Sequence, residues 1–267
     1  MPATPAPLTE RSARVAAAVK LHRQVTRRRA RRFLAEGANL VEAALARGLV
    51  REVFVTEQAA QRHASLFATQ SPPVHRVTER AAKALSDTVT PAGLVAVCDM
   101  PDTRLEDALA GAPRLIAVGV EISEPGNAGT LIRIADAMGA AAVILAGHGV
   151  DPYNGKCLRA STGSVFSIPV VVAPDADAAV GALRDAGLQV LATTVDGEIS
   201  LDEAEPRLAR PTAWLFGPES RGLPRDIAGR ADYRVRIPMS GGAESLNVAA
   251  AAAICLYQSA RRARSSP

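Results

Sequence analysis

Three short segments combine polar side chains with glycine in a way that could hold a ligand and steer a reaction. The first is Asn127-Ala128-Gly129 followed by Arg133. The second is Gly217-Pro218-Glu219-Ser220-Arg221-Gly222-Leu223. The third runs from Ile237-Pro238-Met239-Ser240-Gly241-Gly242 into Ser245-Leu246-Asn247-Val248. Glycine lets a ligand approach the backbone, a carboxylate such as Glu219 accepts hydrogen bonds or orders an arginine, and a guanidinium such as Arg133 offers a planar fork to phosphate. Ser245 and Asn247 read as residues that open a helix and leave backbone donors exposed. Taken singly, each segment has a plainer reading: Asn127 as a helix N-cap, Gly-Pro-Glu as a turn, and Val248 to Ile254 as a packed Ala-rich core helix.

A different chemistry is written near the N-terminus. Residues 11 to 32 hold nine basic side chains and no acidic one, in a chain whose net charge is only +4, so the remainder is net acidic. Arg27, Arg28, Arg29, Arg31 and Arg32 crowd into six positions. Such density repels itself unless phosphates offset it, which makes nucleic acid the favoured partner; a solvated helix face is the plainer alternative.

These residues need elements to position them. Between Phe33 and Cys98, short apolar runs (Val53 to Val55, Val74 to Val77, Leu94 to Val97) alternate with helical patterns at Leu40 to Leu45 and Glu79 to Leu85, which predicts a small α/β domain over residues 1–98. Residues 99–113, rich in Pro, Asp and Gly, read as a linker. From 114 to 267, strand-like runs at Leu115 to Val120, Ala142 to Leu145, Val170 to Val172, Gln189 to Thr193, Thr212 to Phe216 and Tyr233 to Ile237 alternate with helical ones, ending in a helix from about Ser245 to Arg262. That alternation predicts a parallel sheet covered on both faces. Ligands on such sheets bind beyond the carboxyl ends of the strands, so the loops after 120, 193, 216 and 237 should carry the chemistry.

Several function classes are disfavoured. No GxGxxG follows the first strand of the second domain, and Gly149 to Cys157 has one residue too many for a P-loop and a cysteine where Ser or Thr is needed. Cys98, Cys157 and Cys255 form no CxxC pair, and His22, His63, His75 and His148 are scattered, so neither a disulfide framework nor a metal site is expected. No run approaches a membrane span or a signal peptide, which places the protein in the cytoplasm as an expectation.

The three loops together, in this order and spacing, resemble the SPOUT class of knotted RNA methyltransferases, and within it the TrmH-like branch that acts on ribose 2′-hydroxyls. The matching segments are NAGTLIR, GPESRGL and IPMSGGAESLNV; LRASTGSVFSIPV from Leu158 to Val170 also matches, and ARRFLAEGANLVEAAL with ALSDTVTPAGLVAV looks like the family's small RNA-binding domain. Glu121 and Glu124 stand where the family often has aspartates, and Gly155 where it often has proline. The resemblance implies a small N-terminal α/β substrate-binding domain followed by a knotted, trefoil, parallel-sheet α/β domain. It implies S-adenosylmethionine as co-substrate, no metal, and a homodimer with its active site at the interface. The adenosine would be gripped by backbone near Thr193, Thr194, Gly217, Ile237, Met239 and Leu246. Asn127 and Arg133 would approach the ribose, with Glu219, Ser245 and Asn247 holding Arg133 and the target phosphate. Arg159, Ser161 and Thr162 would join the basic run as RNA contacts. Ribosomal RNA is favoured over tRNA because of the small first domain; a tRNA methyltransferase and a non-catalytic RNA-binding or ribosome-assembly protein of the same fold are the other readings.

Overall fold

The structure, a computed structural model, describes residues 6–67, 72–101, 103–218 and 220–264. Its strands are β1 (Arg32–Glu36), β2 (Val50–Val55), β3 (Val74–Arg76), β4 (Leu94–Asp99), β5 (Leu115–Val120), β6 (Ala142–Ala146), β7 (Val170–Ala173), β8 (Gln189–Thr193), β9 (Ile199–Ser200), β10 (Thr212–Phe216) and β11 (Tyr233–Arg236). They form two sheets, in the orders β1-β4-β2-β3 and β7-β6-β5-β10-β8-β11-β9. The chain divides into two compact units, one of Met1–Pro101 with Tyr153–Phe166, the other of Asp102–Pro152 with Ser167–Pro267.

In the first unit β4 pairs antiparallel with both β1 and β2, and β2 runs parallel to β3. Side chains alternate across the sheet, so neighbours Phe33 and Leu34 serve opposite faces. Leu34, Phe54, Val95 and Val97 pack with Val15, Leu21, Ala81 and Leu85 from the helices on one side. On the other, Phe33 lies 4.8 Å from the Tyr153 ring and 5.9 Å from that of Phe166. This aromatic packing explains why residues 153–166, read in the sequence as part of the second domain, fold with the first. Two of its helices start on threonine caps: Thr56 Oγ1 accepts from Ala59 N and Thr78 Oγ1 from Ala81 N, each at 3.2 Å, contributing about 1 kcal/mol apiece.

The second unit is a seven-stranded, wholly parallel sheet. Every residue of β5, β6 and β10 is buried, as expected for parallel strands covered on both faces and the reason they read as unbroken apolar runs. Trp214 on β10 is fully buried, and its indole N–H donates to Ser259 Oγ at 2.9 Å on the last helix, Val248–Arg264. That helix packs against the helix Pro125–Ala137 and against β10. Residues 99–113 were read as linker; their described part begins with the end of β4 and includes a short helix, Leu105–Leu109, that packs Leu105, Ala108 and Leu109 onto the sheet core.

Candidate active site

The sheet order sets β10, β8 and β11 side by side with β5 next to β10. All run the same way, so the loops leaving β8, β10 and β11 emerge at one edge and meet. Between them lies a cleft of about 540 Å3, within the range that small-molecule sites occupy. Thr193 and Thr194 enter it from the β8 loop, Gly217 from the β10 loop, and Ile237, Met239 and Leu246 from the segment after β11. All six residues expected to grip a co-substrate therefore line a single cleft, together with Ser245 and Arg221.

Local geometry explains the residue types. A Cβ on Gly217 would lie 2.5 Å from both Gly222 C and Leu223 N, because the 217–223 loop doubles back on itself. The turn is closed by Gly222 N donating to Pro218 O at 2.8 Å, with Gly222 at φ 64, where glycine pays no steric penalty. Thr193 Oγ1 donates to Leu215 O at 2.9 Å and so braces β8 on β10. Thr194 Oγ1, by contrast, is buried and has no hydrogen-bond partner among the described residues. A buried hydroxyl left unpaired costs free energy.

The first loop differs from its expected detail. Asn127 was read as the N-cap of its helix; the cap is Glu124, whose carboxylate accepts from Asn127 N at 2.7 Å, with Pro125 following it. The signal was present, since proline favours the first helical position. Glutamate simply ranks low among capping residues. With the cap supplied by Glu124, Asn127 Oδ1 instead accepts from Asn247 Nδ2 at 3.2 Å, while Asn247 Oδ1 accepts from Ala249 N at 2.9 Å at the start of the last helix. The last helix begins at Val248, later than the sequence suggested, leaving Ser245 exposed at the cleft. Arg133 is exposed on the Pro125–Ala137 helix and forms no ion pair among the described residues. Glu219 lies outside the described residues. Of the five expected catalytic groups, the structure thus joins Asn127 to Asn247, sets Ser245 at the cleft and presents Arg133 to solvent.

The expected RNA contacts divide. Arg28, Arg29 and Arg31 are exposed, and Arg32 lies 3.6 Å from Asp99 across β1 and β4. Arg27 does not belong to this surface: it is buried, and its guanidinium donates to Leu21 O at 2.9 Å and His22 O at 2.8 Å, so it ties the helix Gln24–Ala30 to the preceding turn. Ser161 is likewise buried, its hydroxyl donating to Leu158 O at 2.8 Å. Arg159 pairs with Asp87, and Thr162 is exposed at φ 49, closing the helix Gly155–Ser161. A side chain at Gly155 would collide with the Asp87 carboxylate, which accounts for glycine there. Burial pushes the Cys98 and Cys255 thiols far above their ordinary range, so they act as small hydrophobic groups. Among the described residues no three His, Cys, Asp or Glu side chains are arranged to hold a metal ion, and no helix is long and apolar enough to cross a membrane.

Against known proteins, residues 114–257 match the model of the SpoU rRNA methylase family. The chain belongs to that family. Residues 12–96 match a second model, the MRM3-like substrate binding domain. Among similar proteins is the 23S rRNA (guanosine(2553)-2′-O)-methyltransferase RlmP of Bacillus subtilis, 36% identical over 239 residues that cover 89% of this chain and 92% of the relative. Another is the 23S rRNA (uridine(2479)-2′-O)-methyltransferase of Streptomyces viridochromogenes, 38% identical over 175 residues, 64% of this chain and 61% of the relative. The SpoU methyltransferase AviRb from Streptomyces viridochromogenes, solved in complex with AdoMet, superposes with a TM-score of 0.85 at 32% identity, covering 96% of this chain and 100% of that one.

Proposed function

We propose that this SpoU-family chain transfers a methyl group from S-adenosylmethionine to a ribose 2′-hydroxyl in structured RNA, ribosomal RNA before tRNA. The observation that carries the reading is the convergence of Thr193, Thr194, Gly217, Ile237, Met239 and Leu246, from three separate loops, on one cleft of nucleoside scale. Relatives named as 23S rRNA 2′-O-methyltransferases and a structural neighbour holding AdoMet support it.

When bound, S-adenosylmethionine supplies an electrophilic methyl carbon on a sulfonium. The chain's own task is to bring a ribose oxygen in line and let its proton leave. Asn127 and Asn247, hydrogen-bonded to each other, fix the junction of the two helices beside the cleft. Arg133 acts as an orienting cation for the ribose and its phosphate. A guanidinium holds its proton to a pKa above about 12 and donates rather than accepts, so it is not the base; deprotonation of the hydroxyl is late or assisted by the adjoining phosphate. Glu219 and Ser245 complete the hold on Arg133 and phosphate.

The solvent-facing Arg133 is at home at the interface of a homodimer, where a second copy and the RNA enclose it. Ile254 and Tyr257, exposed on the last helix at 36% and 49%, form an apolar strip suited to that contact. The same reading includes a trefoil knot in the last strands and a cytoplasmic setting, where ribosomal RNA is found. Arg28, Arg29, Arg31 and Arg32 supply phosphate contacts whose strength falls as salt rises.

The test is methyl transfer from labelled S-adenosylmethionine to purified rRNA and tRNA pools with wild type and Arg133→Ala, followed by mapping of ribose methylation. Label entering rRNA and lost in the variant is expected. Label confined to tRNA would replace the substrate class, and no label on either pool or on assembled ribosomal particles would favour a silent RNA binder.

A further inference from the structure

The end of β8 and the loop that follows wall the cleft with Thr193 to Asp196. Within them, Thr194 N donates to Val235 O at 3.1 Å. The other ties join β11 to Asp196, Gly197 and Glu198. Glu198 Oε1 accepts from the Arg234 backbone N–H at 2.8 Å and Oε2 from Arg234 Nε at 2.7 Å, so one carboxylate grips both the main chain and the side chain of a β11 residue. Arg234 Nη1 also lies 3.9 Å from Asp196 Oδ2. Two residues along, Arg236 Nη1 donates to Gly197 O at 3.0 Å. Between these ties Gly197 presses flat on the strand: a Cβ there would fall 2.5 Å from Arg236 N and 2.6 Å from Val235 C. The strand so gripped runs directly into Ile237 and Met239, which line the same cleft.

We propose that Glu198, through its grip on Arg234, is a positioning residue for S-adenosylmethionine, setting the spacing between the Thr193–Asp196 wall and the Ile237–Met239 wall without touching the ligand. The inference rests on the reading of this cleft as the co-substrate site. Hydrogen bonds from the Arg234 backbone and then its side chain hold the Glu198 carboxyl below the usual carboxylate range, so the grip is fully ionised at neutral pH. Both side chains are 42% exposed, and a pair so exposed contributes little to global stability. Its consequence is geometric: a wall that drifts relative to its partner loosens every contact made across the cleft.

The experiment is calorimetric titration of S-adenosylmethionine into full-length wild type, Glu198→Ala, Glu198→Gln and Arg234→Lys, with thermal melts and steady-state kinetics on the same preparations. In Glu198→Ala the Kd and the KM for S-adenosylmethionine rise on the order of tenfold, and the loss falls on KM rather than kcat. Arg234→Lys keeps the backbone N–H bond to Glu198 and loses only the guanidinium arm, so its affinity falls between those of Glu198→Ala and wild type. Glu198→Gln keeps an acceptor for the Arg234 backbone N–H and recovers part of the affinity. Wild type that binds, with a Glu198→Ala Kd equal to wild type, would overturn the positioning role alone. So would affinity losses that track a large fall in Tm across all three variants, which would mark the pair as a stability element. Wild type that fails to bind would overturn the co-substrate reading itself.

Discussion

Replacing Gly217 by alanine tests whether the close return of the 217–223 loop shapes the cleft. The added Cβ would sit 2.5 Å from Gly222 C and Leu223 N and 2.7 Å from Gly222 O. All three are backbone atoms, which cannot rotate aside, and carbon contacts normally settle at about 3.5–4.0 Å. The loop must therefore open by roughly 1 Å, at an overpacking cost of about 1–3 kcal/mol. Reduced freedom of the unfolded chain offsets about 0.4–1 kcal/mol of this. The net loss, up to about 2.6 kcal/mol, lowers Tm by up to roughly 10 °C for a chain of this size. The displaced wall also raises the Kd for S-adenosylmethionine by on the order of tenfold or more. Gly181 is the control, because a Cβ there meets no described atom outside its own helix within 4 Å; alanine there should leave Tm unchanged or raise it. Melts and calorimetric titrations of both variants decide the matter. If Gly217→Ala matches Gly181→Ala in Tm and in Kd, the steric reasoning is refuted.

Arg133→Lys keeps the charge but loses the fork, so methyl transfer should fall more than about tenfold while the Kd for S-adenosylmethionine is unchanged; near-full turnover would remove the orienting role. Arg28 and Arg29 face solvent whereas Arg27 is buried. Accordingly, changing Arg28 and Arg29 to glutamine should flatten the slope of log affinity for RNA against log salt by about 1.4–1.8, at roughly 0.7–0.9 per phosphate contact. Arg27→Gln should leave that slope in place and instead destabilise the fold by about 1–3 kcal/mol, since the buried Leu21 carbonyl and the part-buried His22 carbonyl lose their donor. Ser259→Ala strips the buried Trp214 indole of its acceptor, an expected loss of about 1–3 kcal/mol that urea denaturation followed by tryptophan fluorescence would read.

The parts of the fold legible in the sequence were those fixed by local pattern. β5, β8 and β10 lie where the sequence placed them, because parallel strands buried on both faces read as near-continuous apolar runs. β1 escaped notice because its first residue, Arg32, closes the arginine run and only the middle three residues are buried. Its partner strand β4 lies over sixty residues away, so pairing left no local trace. The membership of residues 153–166 in the first unit turns on Phe33 meeting Tyr153 and Phe166, again a contact without a sequence period. Arg27 and Arg28 are adjacent and chemically identical, and only the inward face of one short helix separates a structural arginine from one open to phosphate.

The same division runs through the candidate site. The family resemblance carried by three segments sufficed to name Thr193, Gly217, Met239 and Leu246, and these four residues line one cleft. Residues that hold those loops are bound by no such economy. Glu124 takes the cap that Asn127 was expected to fill and so turns Asn127 toward Asn247; Glu198 reaches a strand thirty-six residues on. Each acts through a hydrogen bond whose partner can lie anywhere in the chain, and an ordinary surface glutamate carries no mark of it. Spacing in sequence therefore marks residues that line the cleft, whereas the geometry of the cleft is set by hydrogen bonds that become visible only once the fold brings their partners together.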